Sequence, residues 1–259
     1  LRAEFGRRDG ADQGNLYDCV PPFCAMFPRG TEKDDYVLPD CGGGEPCGWV
    51  LETNALDPSL NTYGDLIGFI TWLSTCSDEE LEAELEARFE VDAYLRFLAV
   101  AAAIGDYDGH LDGDEDYLLY HRPDTDRWVL IPKDHDRSYG AKRCKGSLEA
   151  TGGPVLPPWC GPAAPPLGQR ILAVEGWREA YLGYLGEVAG DWLTVEVHAA
   201  WIDELEALLE EPFAADATFP FDAAAHAAAL GGGPWEDDPP GLLAFVAARR
   251  ARLLEEVSR

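Results

Sequence analysis

The sequence predicts an α+β fold that is mostly helical and carries one β-hairpin near its centre. Apolar residues recur at helical spacing over 77–104 and again over the last third of the chain. Between these stretches, two short apolar runs at 117–121 and 128–132 flank a turn sequence at 123–126. The order of these signals predicts helices, then a two-stranded hairpin, then more helices.

The composition and charge of the chain exclude some classes of binding partner. The chain has 259 residues with 48 acidic and 20 basic side chains, a net charge of −28. Such a charge excludes general binding to nucleic acid or to an anionic membrane, because both need a cationic surface. Hydrophobic residues make up 46% of the chain, which is enough for a core, and no apolar run reaches the roughly 20 residues of a membrane span.

The first 60 residues (1–60) are rich in turn-forming residues and in cysteine, so we expect a loop-rich segment. Four of the seven cysteines fall here: Cys19, Cys24, Cys41 and Cys47. Clustered cysteines in loops favour disulfides and an oxidising compartment, which predicts a secreted or cell-surface protein. Free thiols and a zinc site are the alternatives, although neither pair has the two-residue spacing of a zinc knuckle. The N-terminus lacks Met and an apolar signal core, so we expect a mature chain or a fragment.

Two helices are predicted next. Ser77 and Glu80 fit a capping box, and apolar residues follow at four-residue spacing. Asp92 is placed to cap a second helix, which is nearly apolar over 97–104 and is therefore expected to be buried. Gly105 ends it.

The chemistry lies in the acidic residues on either side of the hairpin. Asp108 and Asp116 precede its first strand, whereas Asp134 and Asp136 follow its second. Because a hairpin brings its two ends together, we expect these carboxylates to converge. Crowded carboxylates repel one another, and a hard cation relieves this repulsion; Mg²⁺ is the first choice, with Ca²⁺ or Mn²⁺ as alternatives.

Beyond the hairpin, residues 141–168 are rich in Gly and Pro, which predicts an irregular loop. Three helices are predicted after it, at 167–185, 192–209 and 242–257. Residues 210–241 form a long connection. Four aromatic residues of these helices are expected to pack in the core: Trp177, Tyr181, Trp192 and Trp201.

The order of helix, acidic loop, hairpin and acidic loop is that of a protein-kinase catalytic core. Several short motifs extend the likeness along the chain: Phe5-Gly6, Gly14–Tyr17, Gly105–Gly109, Tyr117–Tyr120, Trp128–Pro132, Asp134–Asp136 with Tyr139-Gly140, 166–181, and 245–254 with Arg249. On these motifs the whole chain, 1–259, resembles the CotH kinases, a family of atypical secreted protein kinases named after spore coat protein H.

The resemblance implies an atypical protein-kinase-like fold in which 77–259 is the helical catalytic lobe and the N-terminal small lobe is largely missing. It implies transfer of the ATP γ-phosphoryl group to a Ser or Thr hydroxyl of a protein substrate. Asp108 would be the catalytic carboxylate, and Asp134 the principal Mg²⁺ ligand and ATP contact. Asp136 would be an auxiliary metal ligand. Asp116, where the family usually has Asn, would also contact metal and nucleotide. Lys133 stands where the family commonly has Trp.

Other functions remain open from the sequence. The acidic residues at 106–116 also fit a solvated loop or an irregular Ca²⁺ site. A non-catalytic surface or adhesion module of the same family, with or without bound Ca²⁺, is one alternative. A metal-dependent phosphoesterase using the same carboxylates is another.

The basic residues near the acidic loops also have more than one interpretation from the sequence. The cluster of Lys142, Arg143 and Lys145 suits either a phosphate or a solvated loop. His110 suits either a contact with phosphate or a position at the surface, and we favour the surface. His135 is expected to have a structural role, because in an extended segment it points away from both neighbouring aspartates.

Overall fold

The structure is a computed structural model that describes residues 14–21, 24–42, 44–54, 59, 61–111, 116–141, 153–157, 159, 166–216, 223–231 and 241–258. In this part of the chain it has eight α-helices and one antiparallel five-stranded sheet, so the α+β class is confirmed. Several predicted features lie outside the described residues: the motif at 5–6, the acidic residues 112–115, the basic cluster at 142–145, and Cys160.

The sheet has the strand order β2-β3-β1-β4-β5. Its strands are β1 (Leu16–Val20), β2 (Val37–Leu38), β3 (Cys47–Leu51), β4 (Tyr117–Arg122) and β5 (Arg127–Pro132). The predicted hairpin is β4–β5, with Tyr117 opposite Pro132 and Arg122 opposite Arg127. β1 joins this hairpin to β3, because it pairs with β3 on one side and β4 on the other.

The segment 1–60, predicted to be loop-rich, contributes three of the five strands. These strands escaped prediction because they do not alternate in polarity. In β3, only Val50 is more than slightly exposed, and β2 is two residues long. Alternation is the sequence signal of a half-buried strand, so a short strand buried on both faces leaves little trace.

The expected disulfides are present in the same segment. Cys19 pairs with Cys24, and Cys41 pairs with Cys47, so neither pair of thiols forms the alternative zinc site. Among the described cysteines, Cys76 lies outside these pairs. Its sulfur accepts a hydrogen bond from the Arg170 guanidinium at 3.2 Å.

The helices of the described chain are α1 (Gly64–Thr75), α2 (Asp78–Arg88), α3 (Val91–Ile104), α4 (Pro166–Ala173), α5 (Glu175–Glu187), α6 (Val195–Ala215), α7 (Ala223–Leu230) and α8 (Leu242–Val257). The capping box of α2 is confirmed: the Glu80 amide donates to Ser77 Oγ at 3.2 Å, and the Ser77 amide donates to Glu80 Oε2 at 2.9 Å. α3 ends at Gly105 as predicted, but its N-cap is Glu90 rather than Asp92.

Other helix boundaries differ from prediction. α1 was not predicted, and α7 lies inside the connection predicted at 210–241. The helix predicted at 167–185 breaks at Val174, whose backbone is extended, into α4 and α5. These differences follow from tertiary packing, which decides whether a weakly periodic segment forms a helix.

Two of the four aromatic residues assigned to the core are not buried. Trp177 and Tyr181 are buried, whereas Trp192 is 54% and Trp201 45% exposed. Helical spacing places these residues on a face of a helix, but it does not show that another element covers that face. Leu205 is also exposed, so this apolar side of α6 is open in the described structure.

Asp65, in the first turn of α1, ties that helix to the sheet. Its carboxylate accepts hydrogen bonds from the Tyr17 hydroxyl at 2.7 Å and from Asn15 Nδ2 at 2.9 Å. His121 Nδ1 lies 3.1 Å from Asp65 Oδ2, and His121 Nε2 lies 2.9 Å from Asp126 Oδ1. Both ring nitrogens can donate only when the imidazole is protonated, so this arrangement favours charged His121.

We expect His121 to make stability depend on pH. Burial alone would lower the pKa of His121, but hydrogen bonds and charges from Asp65 and Asp126 outweigh burial and raise that pKa. A group whose pKa is higher in the folded state stabilises the fold below its unfolded pKa, and this contribution disappears as pH rises through the folded pKa. The free energy of unfolding of the wild type should therefore exceed that of His121→Gln by more in mild acid than in mild alkali.

Urea unfolding of the two proteins across this pH range measures the difference directly. His226→Gln, on α7, is the control and should give a smaller change with pH. If the free energy of unfolding of the wild type exceeds that of His121→Gln by the same amount at every pH, His121 is not charged in the folded protein.

Candidate functional site

Two loops meet at the candidate site: residues 105–111, after α3, and residues 133–141, after β5. Two side-chain contacts join them, and a backbone hydrogen bond ties the second loop to the last residue of α3. The Tyr139 amide donates to the Ile104 carbonyl at 2.7 Å. His135 Nδ1 lies 2.7 Å from Asp106 Oδ2, and Arg137 Nε lies 3.3 Å from Asp108 Oδ2. The hairpin thus brings the segment of Asp108 together with the segment that begins at Asp134.

The first loop begins where it does because of Gly105. This residue has φ +66°, a left-handed conformation that suits the end of a helix and that glycine adopts without strain. A Cβ at this position would also lie 3.1 Å from the Phe245 ring. The chain therefore turns sharply out of α3, and the Asp106 amide still donates to the Ala101 carbonyl at 2.9 Å.

Asp116 and Asp134 lie at the base of the hairpin, Asp116 just before β4 and Asp134 two residues after β5. Both have left-handed backbones, with φ of 59° and 58°, and the Lys133 amide donates to the Asp116 carbonyl at 3.1 Å. Aspartate tolerates this conformation better than most residues, because its short side chain can bond locally. Non-glycine residues held in this region are concentrated at functional sites, and two of them here lie on predicted ligands.

Asp108 is paired with an exposed cation. Its side chain is 18% exposed, while that of Arg137 is 60% exposed. Solvent screens such a pair, so separating it costs little free energy. The Arg137 guanidinium can therefore move away from the Asp108 carboxylate at little cost in free energy.

Asp106 is the buried acid of the site, with 2% of its surface exposed. Burial raises the pKa of Asp106, and the hydrogen bond with His135 opposes this rise. Among the described residues its Oδ1 atom has no hydrogen-bond partner. His135 thus has the structural role that we predicted, since it holds the second loop against the first. The contact itself was not predicted.

Beneath the first loop lies a buried arginine, Arg249 of α8, with 0% exposure. Its guanidinium donates to the carbonyl of Gly153 at 2.8 Å, to the carbonyl of Ala102 at 2.5 Å and to the Tyr107 hydroxyl at 3.1 Å. Tyr107 directly precedes Asp108. Arg249 therefore connects the last turn of α3, the predicted catalytic loop and α8.

His110, predicted at the surface, is instead buried, with 1% exposure. Its Nε2 lies 2.6 Å from the Tyr94 hydroxyl, and its ring packs edge-on against Tyr117 with ring centres 4.9 Å apart. The neighbouring acidic residues suggested a solvated loop. The contacts with α3 and β4 overcome that tendency, because they provide both an aromatic environment and a hydrogen-bond partner.

The donor chemistry of the site suits Mg²⁺. Asp134 and Asp136 are exposed carboxylates, and nucleotide-bound Mg²⁺ is commonly held by one or two carboxylates together with the phosphates. In the described part of the chain, no group of three or more His, Cys, Asp or Glu is arranged to hold a metal ion by itself. The roles of Asp116, Asp134 and Asp136 as ligands therefore stay predictions. Lys133, next to Asp134, is held 2.5 Å from Asp18 Oδ1 of β1.

Known proteins share this arrangement of segments in sequence. A family model described as "CotH kinase protein" matches residues 49–253, which include both loops, the hairpin and Arg249. The invasin CotH3 of Rhizopus delemar is 25% identical over 137 residues, which are 52% of this chain and 21% of that protein. The match thus spans about a fifth of the length of that curated relative. None of the helices described here is long and apolar enough to cross a membrane.

Proposed function

Because the chain belongs to the CotH kinase protein family, we propose that it transfers the γ-phosphoryl group of ATP to a Ser or Thr hydroxyl of a protein substrate, with Mg²⁺ as cofactor. One observation carries the proposal most strongly: the Asp108 loop meets the loop after β5 through two side-chain contacts, and a backbone hydrogen bond ties the second loop to the end of α3. Protein kinases use the same two parts, a base that accepts the hydroxyl proton and a metal-binding aspartate after a hairpin.

Asp108 is the proposed base. In the reaction, the substrate hydroxyl oxygen forms a bond to the γ-phosphorus while the bond from that phosphorus to the ADP oxygen breaks. The hydroxyl proton passes to the Asp108 carboxylate, which must be released from Arg137. Because the Arg137 side of the pair is 60% exposed, the guanidinium can move away from the carboxylate, and it then becomes available to the transferring phosphoryl group.

Asp134 and Asp136, with Asp116 beside them, are the proposed ligands of Mg²⁺. When bound, Mg²⁺ neutralises charge on the ATP phosphates. The left-handed backbones of Asp116 and Asp134 set the direction of the chain where it enters and leaves the hairpin. The contact between His135 and Asp106 holds the segment between Asp134 and Asp136, so the protein positions this loop before nucleotide arrives.

The two disulfides support a location in an oxidising compartment, and we propose a secreted or cell-surface protein. A non-catalytic adhesion module is the second candidate function. One observation favours it: the relative from Rhizopus delemar is an invasin by name. In this alternative, the pair of Arg137 and Asp108 is permanent and no nucleotide binds.

A transfer assay distinguishes the candidates. The chain is incubated with Mg²⁺, γ-labelled ATP and a library of Ser/Thr peptides, beside the same peptides with Ala at the acceptor positions. The proposal predicts label in the hydroxyl peptides and none in the Ala peptides. Release of free phosphate without labelled peptide would instead indicate a phosphoesterase, and the absence of both reactions would indicate a binding module.

A further inference from the structure

A cavity of about 550 Å³ lies between α1, α2 and the β4–β5 hairpin. Its lining shares no residue with the two aspartate loops, so it is separate from the proposed transfer site. The volume is within the range of small-molecule sites, roughly 300–1,000 Å³.

Small side chains leave this space open. Gly68 of α1 and Ala83 and Ala87 of α2 line the cavity. Gly68 is exposed, and a Cβ placed on it would meet no atom within 4 Å. A larger side chain at this position would therefore extend into the cavity without disturbing the backbone.

The charge of the lining favours a cation. Three carboxylates line the cavity, from Asp65, Glu84 and Asp126, against the guanidinium of Arg88 and the imidazole of His121. Glu84 and Arg88 pair with each other at 2.6 Å, whereas Asp65 and Asp126 share the single ring of His121. One negative charge is thus in excess when His121 is protonated, and two when it is neutral. The net charge of −28 adds a long-range attraction for cations.

Three aromatic rings also line the cavity, those of Phe69, Trp72 and Trp128. The chain already places one of its own cations on this surface, since the Arg88 guanidinium carbon lies 4.6 Å from the centre of the Trp72 ring. Aromatic faces attract guanidinium and ammonium groups, and the attraction grows as water is removed. The same combination of a ring and a carboxylate holds His121, whose imidazole stacks on the Trp128 ring with ring centres 4.4 Å apart and lies 3.1 Å from Asp65 Oδ2.

We propose that this cavity binds a guanidinium group, supplied either by a free organic cation or by an arginine side chain of another molecule. Asp65 is the fixed anchor. Its side chain is 18% exposed, and its carboxylate is oriented by Tyr17 and Asn15 as well as by His121. Hydrogen bonds from these three residues outweigh burial and lower the pKa of Asp65, so the anchor stays charged. Asp126 lies at the rim of the cavity with its side chain 91% exposed, so it adds a negative charge whose position can adjust to the ligand.

Calorimetric titration at low salt tests the proposal with three probes. These are agmatine, a blocked Gly-Arg-Gly peptide, and the same peptide with citrulline, which is neutral, in place of arginine. We expect the arginine peptide to bind at least about tenfold more tightly than the citrulline peptide, since a difference of 1.4 kcal/mol is tenfold. Binding of agmatine as well would identify a free cation as sufficient; binding of the arginine peptide alone would identify a peptide side chain. Equal binding of the arginine and citrulline peptides, or no binding of any probe, would overturn the proposal.

Matched variants locate the site. Gly68→Phe should fill the cavity and weaken binding at least about tenfold. Gly183→Phe is the control, because Gly183 is also an exposed helical glycine with open space beside it, on α5, and this variant should bind normally. Asp126→Asn should weaken binding less and reduce its salt dependence. Retained affinity in a folded Gly68→Phe protein would contradict the proposed location.

Discussion

Asp108→Asn is expected to lower the rate of phosphoryl transfer to Ser/Thr peptides by about 10²–10⁴-fold, the usual contribution of a general base. An asparagine amide keeps the size and shape of the side chain but cannot accept the hydroxyl proton. The loss should appear in kcat rather than in the KM for ATP, because Asp108 acts on the hydroxyl and not on the nucleotide.

The substitution should leave the fold intact, since it keeps the size of the side chain and weakens a pair whose Arg137 side is 60% exposed. Asp203→Asn, on the exposed side of α6, is the matched control and should transfer phosphoryl groups like the wild type. An Asp108→Asn protein with more than about a tenth of wild-type kcat would show that Asp108 is not the base.

Arg249→Ala is expected to have the largest effect on stability, a loss of about 3–5 kcal/mol in the free energy of unfolding. The substitution removes a fully buried guanidinium and leaves the carbonyls of Ala102 and Gly153 without this donor. It also opens a cavity under Tyr107. Chemical denaturation measures the change in the free energy of unfolding.

Arg252→Ala is the control on the same helix. Arg252 pairs with Glu256 at 2.9 Å, four residues along α8, and its side chain is 37% exposed. The loss should be no more than about 0.5 kcal/mol, as for other exposed helix pairs. Equal losses in the two variants would contradict the claim that the buried contacts of Arg249 stabilise the fold.

Features that depend on local sequence could be predicted. The capping box at Ser77, the helix end at Gly105 and the β4–β5 hairpin all rest on residues a few positions apart. The meeting of the two aspartate loops followed from the hairpin, because a hairpin brings its ends together whatever the rest of the fold. These features therefore needed no knowledge of tertiary packing.

Features that depend on distant residues could not be predicted. β1 and β3 are short and buried, and their pairing joins residues about 30 positions apart, such as Cys19 and Trp49. The burial of His110 depends on Tyr94 of α3 and Tyr117 of β4. Arg249 was noted in sequence only as part of the terminal helix, and its contacts with Ala102 and Gly153 span more than 90 residues.

The candidate site also contains some features that local sequence predicts and others that depend on tertiary contacts. The sequence placed Asp108, Asp116, Asp134 and Asp136 on the segments that converge. It did not indicate that Arg137 would pair with Asp108, or that Asp106 would be buried against His135. Such contacts depend on how the second loop turns after β5, which the left-handed backbones of Asp134 and Tyr139 determine.

Binding of Mg²⁺ and ATP at the junction of the two loops is the central claim. Calorimetric titration of ATP into the chain with excess Mg²⁺ tests it most directly, with Asp134→Asn as the variant and Asp203→Asn as the control. Asparagine tolerates the left-handed backbone of Asp134, so the variant removes charge without adding strain. The claim predicts Mg²⁺-dependent binding that Asp134→Asn abolishes and Asp203→Asn retains. Absence of binding in the wild type, or equal binding in the wild type and Asp134→Asn, would contradict it.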